Sequence, residues 1–203
     1  MTTFAFTSPL GTTPYVTVPL RDGEARLRPL LPGELAPQRA VFDRLSLDSR
    51  TDRYLTGVGD LTGSMWRALT AVDGHHHVAW LATVDDRPAG VGRFVRVEPC
   101  TAEIAFEVAD EHQGRGLGMA LLDTLTTVAA AKRIRRLQAT ALGTNHRSQH
   151  LLSRIGLTLQ PSDGLLEGES LFHLLDPARV DRPAVLRLAF AAHEADGPVP
   201  RSA

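Results

Sequence analysis

Hydrophobic and polar positions alternate most cleanly at residues 103–108, where Ile104, Phe106 and Val108 interleave with Glu103, Ala105 and Glu107. A period of two is that of a half-buried strand. The alternation stops at the polar turn Asp110-Glu111-His112, passes through Gln113-Gly114-Arg115-Gly116-Leu117-Gly118, and gives way to a helical period. Leu117, Leu121, Leu122, Leu125, Val128 and Ala129 recur at the spacing of one helix face, with Asp123, Thr126 and Thr127 opposite. A strand that feeds glycines into a helix start builds an anion site. The glycines let the backbone approach a phosphate, and the unpaired N–H groups of the first helical turn point at it.

The same reading predicts the flanking elements. Residues 1–20 are rich in Thr and Pro without helical period, an extended arm with a candidate strand at Tyr15-Val16-Thr17-Val18. Arg21-Asp22-Gly23 is a turn signal. Ala25 and Leu27 then alternate with Arg26 and Arg28 as the first strand of the domain proper. Pro32-Gly33-Glu34 opens a helix carrying Leu35, Val41, Phe42 and Leu45, with Pro37 tolerated only in the first turn. Cap-type residues between 45 and 50 restart a helix through Tyr54, and a short helix with Trp66 and Leu69 falls within 61–73. Residues 78–84 and 89–97 pair as strands across the turn Asp85-Asp86-Arg87-Pro88.

Beyond the long helix, 134–141 is the next strand, and Asn145 caps a helix bearing Leu151, Leu152 and Ile155, with Gly156 as terminator. Residues 158–160 and 169–175 form a closing hairpin around Pro161-Ser162-Asp163-Gly164. From Asp176 onward Pro and Ala dominate, a tail that docks through Leu186, Leu188 and Phe190 or stays disordered. The expected organisation is an arm over 1–23, one domain over 24–175 and a tail over 176–203.

Composition narrows the picture. A chain of 203 residues suits one domain with a real core. Its formal net charge of -1 and scattered basic residues argue against nucleic acid as partner. Lys132 is the only lysine, which reads as coding bias first. The single Cys100 excludes an internal disulfide and fits a reducing compartment. No apolar run approaches the ~18 residues of a membrane span, and the N-terminus lacks the basic and apolar regions of a secretory signal. These features predict a cytoplasmic protein, monomeric or homodimeric, without a membrane partner. His75-His76-His77 invites a metal reading, but adjacent side chains on extended backbone point to alternate faces and do not converge. A solvated turn accounts for them better, and no metal is expected.

The glycine segment matches neither common nucleotide motif. A P-loop requires Lys-Ser/Thr where Met119-Ala120 stand, and a dinucleotide fingerprint requires a small residue at Met119 and an acidic one near the next strand. The pattern Gln/Arg-x-x-Gly-x-Gly/Ala does fit Gln113 to Gly118, and it resembles the acyl-CoA pyrophosphate loop of the GNAT N-acetyltransferase superfamily. The front half resembles one branch of it, the Pat-type protein-lysine acetyltransferases. The matching residues are Leu27, Arg28, Pro29, Pro32 and Glu34, then Arg44, Leu45, Ser46, Asp48, Ser49, Arg53 and Tyr54. Asn145-x-x-Ser148 followed by Leu151-Leu152-x-x-Ile155-Gly156 resembles the second cofactor motif. The resemblance covers roughly residues 24–175. It implies an α/β (α+β) GNAT fold: a mixed, mostly antiparallel sheet of about six to seven strands, splayed in the middle and flanked by about four helices.

It also implies a reaction: acetyl transfer from acetyl-CoA to an amine, on a protein lysine or a small molecule, unless the chain only binds acyl-CoA as a sensor. N–H groups of Gly114 through Met119 would hold the pyrophosphate, with Arg115 either adding charge or solvated. Phe106, Glu107 and Val108 would hydrogen-bond the pantetheine arm as an added strand, and the Val108 N–H would stabilise the oxyanion. Asn145 and Ser148 would bind the other side of the arm, unless they serve only as a helix cap. A lysine with its ordinary pKa is nucleophilic in about one molecule per thousand at pH 7, so a base is needed. Ala102-Glu103-Ile104-Ala105-Phe106 resembles the strand whose glutamate is the base in protein-acetylating members. Burial between Ile and Phe is expected to raise the pKa of Glu103, and Glu107, on the same face, competes for the role. Many members have a tyrosine as general acid where this chain has Leu152.

Overall fold

The computed structural model describes residues 13–194. Residues 1–12 of the expected arm and 195–203 of the expected tail lie outside the described part.

One eight-stranded sheet organises the chain. β1 (Val16–Pro19) and β2 (Glu24–Pro29) form a hairpin, followed by three short helices, α1 (Leu35–Phe42), α2 (Leu47–Tyr54) and α3 (Gly63–Thr70). β3 (His77–Val84), β4 (Arg87–Glu98) and β5 (Thr101–Val108) run as a meander. A 3-10 turn at Asp110–His112 leads to α4 (Leu117–Ala131), then β6 (Arg136–Ala141), α5 (His146–Ser153), β7 (Gln160–Ser162), β8 (Leu165–Leu171) and α6 (Arg182–Glu194). The spatial order is β1-β2-β3-β4-β5-β6-β8-β7. Among the pairings, only β5–β6 is parallel. That is the step a crossover helix requires, and α4 supplies it.

The sheet has one strand more than the expected six to seven because the arm contributes β1. The hairpin turn is narrower than Pro161–Gly164. Asp163 and Gly164 alone hold the positive φ values, 45° and 82°, of a two-residue turn, so Pro161 and Ser162 stay in β7. More helices form than the about four expected, because the front segment holds all three of its helices and the tail adds α6. Ser46 accepts the Ser49 N–H at 3.2 Å and Thr62 accepts the Met65 N–H at 3.3 Å.

Two apolar layers sandwich the sheet. Leu30, Val41, Val72, Ala79, Leu81 and Val91 pack on the α1 side. The larger core joins Trp80, Phe94 and Ile104 to Leu121, Leu122 and Leu125 of α4. Gly92 sets that contact distance, since a Cβ there would lie 2.8 Å from Leu125 Cδ1. The polar side of α4 does not face solvent, as a two-sided pattern implies; Asp123, Thr124, Thr126 and Thr127 are buried too. The tail is the reason. α6 lies along α4, burying Ala184, Val185 and Ala189, while Leu186 and Leu188 are half-buried and Phe190 stays exposed. Asp123 fastens it, accepting backbone N–H bonds from Arg179 (2.6 Å) and Val180 (3.2 Å) and two bonds from the Arg182 guanidinium (3.1 and 2.7 Å).

The histidine triplet is an anchored turn. Burial alone would raise the Asp73 carboxyl, but N–H bonds from His77, His75 and His76, each 2.8 Å, prevail and hold it at about 2. His77 is buried, a correction to the solvated reading, and sits 3.3 Å from the Arg93 guanidinium. Burial first, then the Arg93 charge, pushes its imidazole down to about 4.

Two stability effects follow. Asp123→Ala leaves Arg182 and two N–H groups without their carboxylate and is expected to cost about 3 kcal/mol in urea unfolding. Between the ordinary 6.5 of histidine and about 4, the unfolded chain binds a proton at position 77 that the folded chain refuses. Stability therefore falls as pH drops through that window, and His77→Gln is expected to make the fall shallower in urea midpoints measured across it.

Candidate active site

The cleft begins where two strands part. β5 stays paired with β4 to its end, from Glu98↔Thr101 to Gly90↔Val108. Against β6 it pairs only from Thr101↔Arg136 to Glu103↔Gln138, while β6 remains on β8 as far as Ala141↔Leu166. Beyond Glu103 the second edge of β5 is open. The Ala109 N–H donates to Ala89 O at 2.9 Å, so alternation turns the backbone groups of Phe106 and Val108 away from β4 and into the gap. Val108 O accordingly accepts Gln113 Nε2 at 3.0 Å from that side.

The glycine loop closes one end. Gly114 and Gly116 have φ values of 71° and 99°, and a Cβ on either would meet nothing within 4 Å. Gly116 is the N-cap of α4 with no side-chain cap, and the first intrahelical bond is Ala120 N to Gly116 O at 3.1 Å. The N–H groups of Leu117, Gly118 and Met119 therefore lack an intrahelical acceptor at an apolar, positive helix end. Gln113 is held from several sides: it donates to Ser49 Oγ (3.1 Å), Val108 O (3.0 Å) and Asp110 Oδ1 (3.1 Å), and accepts from Arg147. The Arg115 side chain neither adds charge to the loop nor stays solvated. Arg115 turns away to donate to Asp22 O and to meet His112 Nδ1 at 3.1 Å, and Leu117 is buried in the core. Both offer only backbone to a ligand.

The cleft has a volume of about 1010 Å³, and Gln113, Gly114, Gly116, Gly118 and Met119 line one part of it. Asn145 and Ser148 stand on the α5 wall, where Asn145 Oδ1 accepts the Ser148 N–H at 3.0 Å. The cap is formed, and both residues still border the cleft. Leu152 lines it as well and is nearly fully buried.

The two glutamates of β5 face the helix side of the sheet in different surroundings. Glu107 is 5% exposed. Tyr54 donates its hydroxyl to Glu107 Oε2 at 2.9 Å, and Arg53 Nε lies 3.9 Å away. Behind them the buried Arg93 donates to Leu69 O and Gln38 Oε1, both at 2.8 Å. Burial, then the Arg53 charge, lowers Arg93 to about 10, which keeps it protonated at neutral pH. Burial and then the Glu107 charge raise the Tyr54 phenol. Glu103 is exposed at the cleft mouth, contrary to the expectation that it is buried between Ile and Phe. Its cross-strand neighbour Val95 is 39% exposed, so no helix covers this end of the face.

Strand geometry also separates Glu103 from Val108. Their Cα atoms lie about 16 Å apart at the rise of extended chain, too far to serve one carbonyl together. Phe106, whose N–H opens into the same gap, is about 10 Å from Glu103. Sequence reasoning missed Arg93, although a lone arginine inside Val91-Gly92-Arg93-Phe94 signals a buried network. Arg53 and Tyr54 were in view only as part of a resemblance; their partner Glu107 comes from 53 residues further on. Among the described residues, no group of three or more His, Cys, Asp or Glu is placed to hold a metal ion.

Known proteins share this fold and parts of this sequence. The family model described as "Acetyltransferase (GNAT) family" matches residues 43–157. The chain is 31% identical over 147 residues to Acetyltransferase Pat of Mycolicibacterium smegmatis, an alignment covering 70% of this chain and 44% of that protein. It thus spans less than half the length of that relative. It is 26% identical over 147 residues to an acetyltransferase of Pseudomonas aeruginosa, covering 70% of this chain and 79% of the other. Among crystal structures, the GNAT domain of S. lividans PAT superposes with a TM-score of 0.72 at 28% identity, covering 78% of this chain and 97% of that one.

Gly116→Val places a β-branched residue at φ 99° in the loop. It is expected to weaken acetyl-CoA binding by at least about tenfold, read by isothermal titration, since the strain falls where the N–H groups must converge.

Proposed function

This chain belongs to the GNAT acetyltransferase family, and from that premise we propose that it moves the acetyl group of acetyl-CoA onto a protein lysine by direct attack, with Glu103 as general base. The observation that carries the reading is the open edge of β5, with the glycine loop and helix start beyond one end and Glu103 near the other. The pyrophosphate rests on N–H groups of the Gly114–Met119 segment. The peptide-like pantetheine arm takes the place of the missing strand along Val108 and Phe106.

In the reaction the lysine nitrogen attacks the thioester carbon. The N–H of Phe106, nearer to Glu103 than that of Val108, stabilises the oxyanion, and Val108 is left to the arm. The proton of the attacking nitrogen passes through solvent at the cleft mouth to the Glu103 carboxylate. The C–S bond then breaks and CoA leaves as thiolate, taking a proton from water. Glu107 is poorly available as the base, because Tyr54 already donates to it and Arg53 stands beside it. A small amine remains the alternative acceptor, and transfer of labelled acetyl to free amines but to no protein would favour it.

Glu103→Gln is expected to lower kcat by about a hundredfold or more while leaving the acetyl-CoA Kd unchanged. Turnover near wild type would remove Glu103 from the mechanism, and its loss in Glu107→Gln alone would move the base there.

A further inference from the structure

We infer that Arg21, on the turn between β1 and β2, is a ligand for the phosphates at the nucleotide end of CoA, so that the N-terminal hairpin forms part of the cofactor site. This rests on the reading of the cleft as an acetyl-CoA site. Arg21 lies outside residues 43–157, the span matched to the family.

The turn and the glycine loop are fastened to each other in both directions. The Arg21 N–H donates to Arg115 O at 3.0 Å, and the Arg115 guanidinium donates back to Asp22 O. The turn itself is closed by Leu20 N to Gly23 O at 3.0 Å, with Gly23 at φ 92°. Arg115, the one cation inside the loop, is therefore spent on holding the turn. In exchange the turn presents Arg21, which lines the same cleft as Gly114 and Gly116 and is bonded through its N–H to the residue between them. Arg21 is exposed, and its guanidinium has no hydrogen-bond or ion-pair partner among the described residues. The other arginine near the loop, Arg147, is committed to Gln113 and faces Asp52 and Asp110. Backbone N–H groups at a helix start supply directed donors but only partial charge, whereas CoA brings a pyrophosphate and a 3′-phosphate. Arg21 supplies a full charge at that place.

Isothermal titration of wild type, Arg21→Gln and Arg21→Lys with CoA, dephospho-CoA and pantetheine tests the assignment, with thermal melts as a check on folding. Arg21→Gln is expected to weaken CoA binding by about three- to tenfold at low salt, less at high salt, with pantetheine binding and melting temperature unchanged. Arg21→Lys restores part of the loss as a point charge. A loss for CoA but not for dephospho-CoA identifies the 3′-phosphate as the partner, and an equal loss for both identifies the pyrophosphate. Unchanged CoA binding, or a parallel loss with pantetheine, overturns the inference while leaving the site reading intact. A wild type that binds no CoA sinks both.

Discussion

Everything at the site depends on one unfinished strand pairing. β5 and β6 share three parallel pairs and then separate, although each keeps its partner on the other side. A sheet interior with unpaired N–H and C=O groups is costly, so the parting persists only where something satisfies or solvates them. Gln113 does so for Val108 O, and through Ser49, Asp110 and Arg147 it draws α2, the 3-10 turn and α5 to the same point. The crossover that makes β5–β6 parallel also puts the start of α4 just beyond the end of β5. An open strand edge and a free helix N-terminus thus arise from one topological step. A peptide-like arm ending in a pyrophosphate is complementary to both.

The same strand carries two carboxylates whose environments separate their uses. Glu107 sits beneath α2, where Tyr54 and Arg53 hold it and the buried Arg93 lies close by. This cluster ties α2 to the sheet, and α2 lines the cleft. Removing a member of such a buried group strands the others, so its effects on catalysis pass through position. Glu103, past the reach of the helices, keeps the solvent contact that the proposed base requires. Two identical side chains on one face, a single turn of the pleat apart from being neighbours, differ because helix cover ends between them.

What the sequence disclosed follows the range of the interactions involved. The strand, loop and helix from Thr101 to Ala131 are encoded by local alternation, glycines and helical period, and they form almost as written. The Asn145 cap is equally local. Burial of Glu107 in place of Glu103 was not legible, because it depends on where a helix 53 residues earlier comes to rest. Whether the tail docks was left open for a related reason. Its helix start is local, with Asp181 accepting the Ala184 N–H at 3.0 Å and Pro183 in the first turn, yet the Pro- and Ala-rich composition hid it, and nothing nearby shows that Asp123 awaits Arg182 from 59 residues away. Asp123 looked like one residue of a solvated helix face, and only the folded chain reveals the buried carboxylate as an anchor.

Leu152 bears on how the proposed reaction divides its labour. It occupies the position of the usual tyrosine acid and is packed into the core at 3% exposure, so no proton donor stands there. Tyr54, the only tyrosine lining the cleft, already donates to Glu107, and its phenol is raised by burial and that charge. A thiol of ordinary pKa near 8.5 leaves as thiolate without assistance, where an alkoxide would not. An amine acceptor near 10.4 is the less ready partner, since it attacks only after losing a proton. The chemical demand therefore falls on deprotonation at the mouth of the cleft. That is where the fold leaves a carboxylate uncovered, and why the inner end can be built for grip alone.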